Sequence, residues 1–173
     1  IAASKTFDNS TSCSSENAVI AVDSVYDKLV AALAAEGGYY LDAAQTAHLE
    51  GIHWHNGKLT SKLLAKDIDV VLAKTGFAGT APDNTSFLVA PQSEFGPDHP
   101  MTGEKMSRFL ALHRAGDFDE AMEKAVAIQN HMGAGHSLSL HSADDGRARK
   151  LAMEARTCRV IVNQAHCFAN GGF

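Results

Sequence analysis

No stretch of this sequence approaches the ~20 consecutive apolar residues that a membrane-spanning helix needs. It opens Ile1-Ala2-Ala3, without the basic start and apolar core of a secretory signal. Cysteine is scarce: three residues, an odd count in a chain of 173, which is too large to need staples. That usage predicts a reduced, cytosolic compartment rather than a disulfide framework. Positive charge is also in deficit. Lys and Arg number 15 against 20 Asp and Glu, for a net charge of −5 and a pI near 6.0. An electrostatic nucleic-acid binder is thereby disfavoured. No Gly-x-Gly-x-x-Gly is present, so the chain has no dinucleotide fingerprint of its own. Internal repeats and low-complexity tracts are absent as well.

What is present is ordinary globular composition, 45% hydrophobic and 20% charged, in a chain long enough for one domain with a sizeable core. Apolar periodicity predicts helices over Val25–Ala35, Leu41–His53, Thr60–Ala65, Asp67–Lys74, Phe118–His131 and Asp144–Ala155. Asp23 or Ser24, Asp42 and Asp117 are expected as caps, and Gly37-Gly38 and Gly76 as stops. Ala121, Ala125 and Ile128 are expected to face inward. Strands are predicted over Ala18–Val22, Ser86–Ala90, Arg108–His113, Ser137–His141 and Arg159–Asn163, with an irregular stretch from Pro91 to Gly103. Strands alternating with helices predict an α/β layered sheet. The run Val160-Ile161-Val162, lacking polar alternation, predicts burial on both faces.

Chemistry concentrates around Cys13, in the run Ser4-Lys5-Thr6-Phe7-Asp8-Asn9-Ser10-Thr11-Ser12-Cys13-Ser14-Ser15-Glu16-Asn17. Small hydroxyl residues let a carbonyl approach the sulfur. Backbone N–H groups of Ser14, Ser15 and Asn17 can favour a thiolate and the oxyanion it would form. The competing reading is a partly buried structural cysteine, since free Cys is among the most buried residue types. Glu104 stands in the irregular segment as either a solvated carboxylate or a ligand acceptor. His136, between Gly135 and Ser137, is either a strand-end residue satisfied by backbone or a substrate contact that titrates near neutrality. Asn163 ends a strand, where open α/β sheets place ligand contacts and where Asn also forms turns. His48, His53 and His55 have no Cys or carboxylate at ligand spacing, so no metal site is expected. Cys158 is expected to be buried.

Ser4-Lys5-Thr6-Phe7-Asp8-Asn9, three residues, then Cys13 resembles the nucleophile segment of the CoA-acylating aldehyde dehydrogenases. So, in order, do Val22–Asp27, the Gly103-Glu104-Lys105-Met106-Ser107 end of His99–Ser107, the glycine-rich Met132–Ser137 and Thr157–Asn163. These matches span nearly all 173 residues. Hydrolytic aldehyde dehydrogenases carry Phe-x-Asn-x-Gly-Gln-x-Cys. Here Phe7 and Asn9 are kept, Gly-Gln is missing and the Asn-to-Cys spacing is one residue shorter, which favours the acylating branch. Gln164-Ala165-His166-Cys167-Phe168 departs from the bifunctional aldehyde-alcohol enzymes and is more similar to the acylating sulfoacetaldehyde dehydrogenases.

The resemblance implies a three-layer open-sheet catalytic domain over residues 1–173, part of a longer chain whose nucleotide-binding domain lies outside it. It implies Cys13 as nucleophile, NAD or NADP held partly by Glu104, and coenzyme A as acyl acceptor. His136, Asn163, His166 and Arg159 are implied near the substrate, with Arg suited to an anionic tail. The implied substrate is a short aldehyde, sulfoacetaldehyde first, with succinate semialdehyde or acetaldehyde as alternatives. The implied full-length protein is a cytoplasmic homo-oligomer. A non-catalytic binding or assembly domain on the same scaffold is the reading from another class.

Overall fold

The computed structural model describes residues 1–132 and 134–169, so Gly133 of the glycine-rich segment and the terminal residues 170–173 lie outside the described residues. The described strands are β1 (Ala18–Val22), β2 (Gly38–Tyr40), β3 (Trp54–His55), β4 (Lys58–Leu59), β5 (Phe87–Gln92), β6 (Phe109–Ala115), β7 (Gly135–Leu140) and β8 (Thr157–Val162). The helices are α1 (Ala2–Thr6), α2 (Asp23–Ala35), α3 (Ala43–His53), α4 (Ile68–Thr75), α5 (Phe118–Met132), α6 (Asp145–Glu154) and α7 (His166–Ala169).

The main sheet has strand order β1-β6-β5-β2, and every pairing is parallel. Its two central strands are apolar on both sides, as sheets covered on both faces must be. Leu88, Ala90 and Phe109 point into a core built with Leu41, Leu49, Leu63 and Val71 from the α3–α4 side. Their neighbours Phe87, Val89, Leu110 and Leu112 point the opposite way, against Tyr26 and Leu33 of α2. Helix, sheet and helix therefore form three layers. Phe87, Leu88 and Leu110 are fully buried, and each such side chain contributes roughly 1.5–3 kcal/mol. A smaller parallel sheet, β7-β8, packs Leu138, Leu140 and Val160 against Met122, Leu151 and Ala155.

Local signals account for most boundaries. Asp42 accepts from Gln45 N at 2.8 Å while Gln45 Oε1 accepts from Asp42 N at 3.0 Å, a reciprocal cap that starts α3. Asp117 caps α5 through Glu120 N, and Asp144 caps α6 through Gly146 N. Helix α2 departs from this rule. It begins at Asp23 itself, after Val22, with no side-chain cap; Asp23 instead favours the positive helix end and pairs with Arg114 at 3.4 Å.

Several expectations are corrected. Residues 60–65 form turns, not a helix, because non-local bonds hold the chain: Thr60 N donates to His53 O, Thr60 Oγ1 to Ile52 O and Ala65 N to Met106 O. Asn56 and Gly57, with φ of 50° and 72°, close the β3–β4 hairpin in the left-handed geometry that two-residue hairpin loops require. Three-residue β2 was also unforeseen. On α5 Met122 is buried, and Phe118 and Val126, four residues to either side, are half-buried, as are the expected inward residues Ala121, Ala125 and Ile128. On β8 Ile161 is buried but Val162 is 40% exposed, so the run is not buried throughout. Cys158 is exposed rather than buried.

Candidate active site

Strands β1 and β6 lie side by side, with Ala18 paired to Ala111. The segment before β1 carries Cys13, and the segment before β6 carries Glu104. Parallel pairing therefore brings both to the same, amino-terminal end of the sheet. Two hydrogen bonds from Asn17 fasten them: Asn17 O accepts from Ala111 N at 3.0 Å, and Asn17 Oδ1 accepts from Lys105 N at 2.9 Å.

Cys13 is exposed in a tight turn, closed by Ser15 N donating to Ser12 O at 2.9 Å. Its own N–H makes no hydrogen bond among the described residues. The thiol and a free backbone donor are thus presented together. The chain enters this turn through Asp8, Asn9 and Ser10, all with φ between 46° and 61°. Side chains hold that unusual path. Thr11 Oγ1 donates to Asp8, Asn9 Oδ1 accepts from Arg108 Nε at 2.7 Å, and Ser10 Oγ donates to Lys5 O. Asp8 and Asn9, in the left-handed region, are residues that adopt it at low cost.

Beneath the turn lies a buried polar layer. Lys5, only 1% exposed, donates from Nζ to Glu16 O at 3.0 Å. Burial lowers the Lys5 ammonium to about 7, against the opposing pull of the Glu16 carboxylate. Burial likewise raises the Glu16 carboxyl, whose two oxygens lie near Lys5 and Ser4 without completing a hydrogen bond. Lys105 is fully buried and donates to Met101 O and Gly103 O, at 2.6 and 2.9 Å. Its ammonium is held well below the ordinary lysine range by burial and by Lys5. Lys105 O accepts from His53 Nε2 at 2.7 Å, which fixes that imidazole as the Nε2–H tautomer. Burial takes His53 down to about 4, so it is neutral near pH 7. Hence His53 belongs to the support of this loop and is a core residue, while its neighbour His55 is exposed. No cluster of three or more His, Cys, Asp or Glu capable of holding a metal exists among the described residues.

Glu104 is exposed, and its carboxylate makes no hydrogen bond or ion pair among the described residues. It is an uncommitted acceptor on a loop fixed on both sides by the Lys105 bonds. A carboxylate so placed fits a vicinal diol, whose two hydroxyls it can accept together. Next to it, Gly103 lets the Met132 side chain come close: a Cβ there would lie 2.7 Å from Sδ, the far end of that flexible side chain. That approach sets the end of α5, four residues before His136, against the Glu104 loop.

Of the remaining candidate residues, His166 lies under the Cys13 turn, while His136 and Asn163 stand at opposite ends of the separate β7–β8 sheet. His166 is buried and hydrogen-bonds to the backbone of Ser14, the residue after Cys13; burial is the main reason its imidazole is lowered to about 4. The adjacent Cys167 N donates to Ser4 Oγ at 3.2 Å, so α7 packs under the turn. His136 is exposed with Nδ1 2.9 Å from Ser137 Oγ, and its carbonyl lies 2.8 Å from the Cys158 sulfur. Asn163, at φ 53°, spends its amide on Ser142, accepting from Ser142 N and donating to Ser142 O. It ties the segment leaving β8 to the segment leaving β7. Burial of Lys5, Glu16 and Lys105 was not read from the sequence; the only hint was charged residues flanking an otherwise small, polar run.

No family model matches this sequence. The chain is 43% identical over 172 residues, 99% of its length, to the sulfoacetaldehyde dehydrogenase (acylating) of Cupriavidus necator, of which it covers 35%. It is 32% identical over 163 residues, 92% of its length, to the bifunctional aldehyde-alcohol dehydrogenase AdhE of Escherichia coli, of which it covers 18%. The crystal structure of an acetylating aldehyde dehydrogenase from Geobacillus thermoglucosidasius superimposes with a TM-score of 0.91 at 30% identity, over 96% of this chain and 36% of that one. The chain thus spans about a third or less of the length of these relatives. Over that span, sequence and fold agree with the motifs, and the chain resembles the CoA-acylating aldehyde dehydrogenases throughout.

Proposed function

We propose that this chain is the nucleophile-bearing catalytic domain of an NAD(P)+-dependent, CoA-acylating aldehyde dehydrogenase. The observation that carries the proposal is the Asn17–Lys105 hydrogen bond, which joins the exposed Cys13 turn to the Glu104 loop at one end of the sheet. The Cys13 thiolate attacks the aldehyde carbon, and the free Cys13 N–H faces the oxygen that becomes negative. The Glu104 carboxylate would hold a nicotinamide cofactor by its ribose hydroxyls, and the bound cofactor would accept the hydride that leaves the former aldehyde carbon. Cys13 then carries the acyl group as a thioester. The thiolate of coenzyme A attacks that carbonyl, the Cys13–carbon bond breaks, and the Cys13 thiolate is regenerated with release of acyl-CoA. A sulfur nucleophile suits this transfer because a thioester exchanges readily with another thiol.

Sulfoacetaldehyde is the substrate proposed first, supported by the name of the relative at 43% identity. Succinate semialdehyde and acetaldehyde follow. Arg159 is the side chain offered for the anionic end of such an aldehyde, whereas His166, buried and neutral, supports the Ser14 backbone beneath the Cys13 turn; His136 is offered as a further substrate contact. A nucleotide-binding domain from additional chain, a homo-oligomeric assembly and a cytoplasmic setting complete the proposal. The three described cysteines are free, and no described helix is long and apolar enough to cross a membrane.

The test is to incubate the full-length protein with aldehyde and NAD(P)+ but no CoA, then map the acyl adduct by mass spectrometry. An adduct on Cys13 that CoA removes is expected. Turnover by a Cys13→Ala variant would overturn the assignment.

A further inference from the structure

Lys5 has a buried amine that the proposed chemistry does not use. Its side chain leaves α1, passes under the turn and ends on the carbonyl of Glu16, three residues after Cys13. Glu16 is followed by Asn17, whose side chain holds Lys105 N. One further bond ties the same arc to α1, Ser15 Oγ donating to Ser4 O at 3.4 Å, and ahead of the arc Ser10 Oγ donates to Lys5 O. The arc from Cys13 to Asn17 is therefore suspended between α1 on one side and the Glu104 loop on the other.

We propose that Lys5 is a positioning residue for Cys13, which acts through the Glu16 carbonyl to fix the height and direction of the Cys13 turn relative to Glu104. This inference rests on Cys13 being the reactive thiol and on no particular aldehyde. A lysine placed only for stability would be a poor choice, because burying its amine costs free energy and one hydrogen bond recovers only part of it. Among the described residues one acceptor, the Glu16 carbonyl, receives Nζ. Methionine has nearly the same stem and no donor, so it isolates that bond.

The experiment measures alkylation of individual cysteines by iodoacetamide in the full-length protein, read by mass spectrometry. Cys158, also exposed and on the separate β7–β8 sheet, serves as internal reference. Lys5→Met is expected to lower the Cys13 rate about tenfold, the effect of one lost hydrogen bond, with the Cys158 rate unchanged. Lys5→Arg, which restores a donor and a positive charge, is expected to recover most of the loss. Should Lys5→Met fail to fold, Lys5→Gln, with a shorter stem and an amide donor, is expected to give an intermediate Cys13 rate. A wild-type Cys13 rate in a folded donor-free or shortened variant overturns the proposal, as does a parallel change at Cys13 and Cys158. Because no aldehyde or cofactor enters the assay, failure of the dehydrogenase reading would appear as missing turnover with the alkylation pattern intact.

Discussion

The side-chain oxygen of Asn17 accepts a hydrogen bond from the backbone N–H of Lys105 at 2.9 Å, across 88 residues of sequence. One neighbour of Lys105 is Glu104, and four residues before Asn17 stands Cys13. Asn17→Ala removes this bond and leaves the Lys105 N–H without its acceptor. The expected cost is about 1–2 kcal/mol in urea unfolding, with a fall in turnover larger than the loss of stability explains. Asn17→Asp keeps the acceptor oxygen and is expected to retain more activity.

Glu104→Gln keeps the size of the side chain and removes its charge. Charge-assisted hydrogen bonds contribute roughly 1.5–3 kcal/mol, so KM for the nicotinamide cofactor is expected to rise about tenfold or more. Alkylation of Cys13 should be unchanged, since Glu104 is exposed and makes no bond to the Cys13 turn among the described residues. A KM unaffected by the substitution would remove Glu104 from the cofactor site.

Acid should unfold the protein through its buried histidines. His53, His113 and His166 are each lowered from 6.5 to about 4, in every case chiefly by burial. The folded state therefore binds fewer protons than the unfolded state between those values, and stability must fall as pH drops from about 6.5 toward 4. Above pH 6.5 this contribution is fully present. Each histidine accounts for on the order of 2–3 kcal/mol at the acid end. Urea unfolding at pH 7.5 and pH 5 measures it, and equal stabilities would contradict the neutral buried state.

Asp42→Ala removes the reciprocal cap of α3. Loss of such a cap costs about 1 kcal/mol, read as a lower thermal midpoint, with kinetic constants unchanged because α3 meets the Lys105 loop through Glu50 and His53, at the end of the helix away from the cap.

Much of the arrangement could be read from local signals. Asp42, Asp117, Asp144 and Gly76 mark helix ends by chemistry that acts within a few residues, and the apolar runs in β5 and β6 declare two-sided burial. The motif around Cys13 singled out the segment that leads into β1. What stayed hidden depended on non-local partners. Thr60 to Ala65 has helical composition, yet His53, Ile52 and Met106 claim its hydrogen bonds. Lys5 and Lys105 resemble solvated lysines until the carbonyls that receive them are in place. Cys158 carries no local sign that it stands exposed on β8. Asn56-Gly57 is the exception: its hairpin signal was in the sequence and went unused.

The central claim is tested most directly by NAD(P)H formation in the full-length protein, given sulfoacetaldehyde, succinate semialdehyde or acetaldehyde, with and without coenzyme A. Sustained NAD(P)H production that requires CoA, and that disappears in Cys13→Ala, is the expected result. Sustained production without CoA would place the protein in the hydrolytic branch, and silence with all three aldehydes would contradict the proposed reaction.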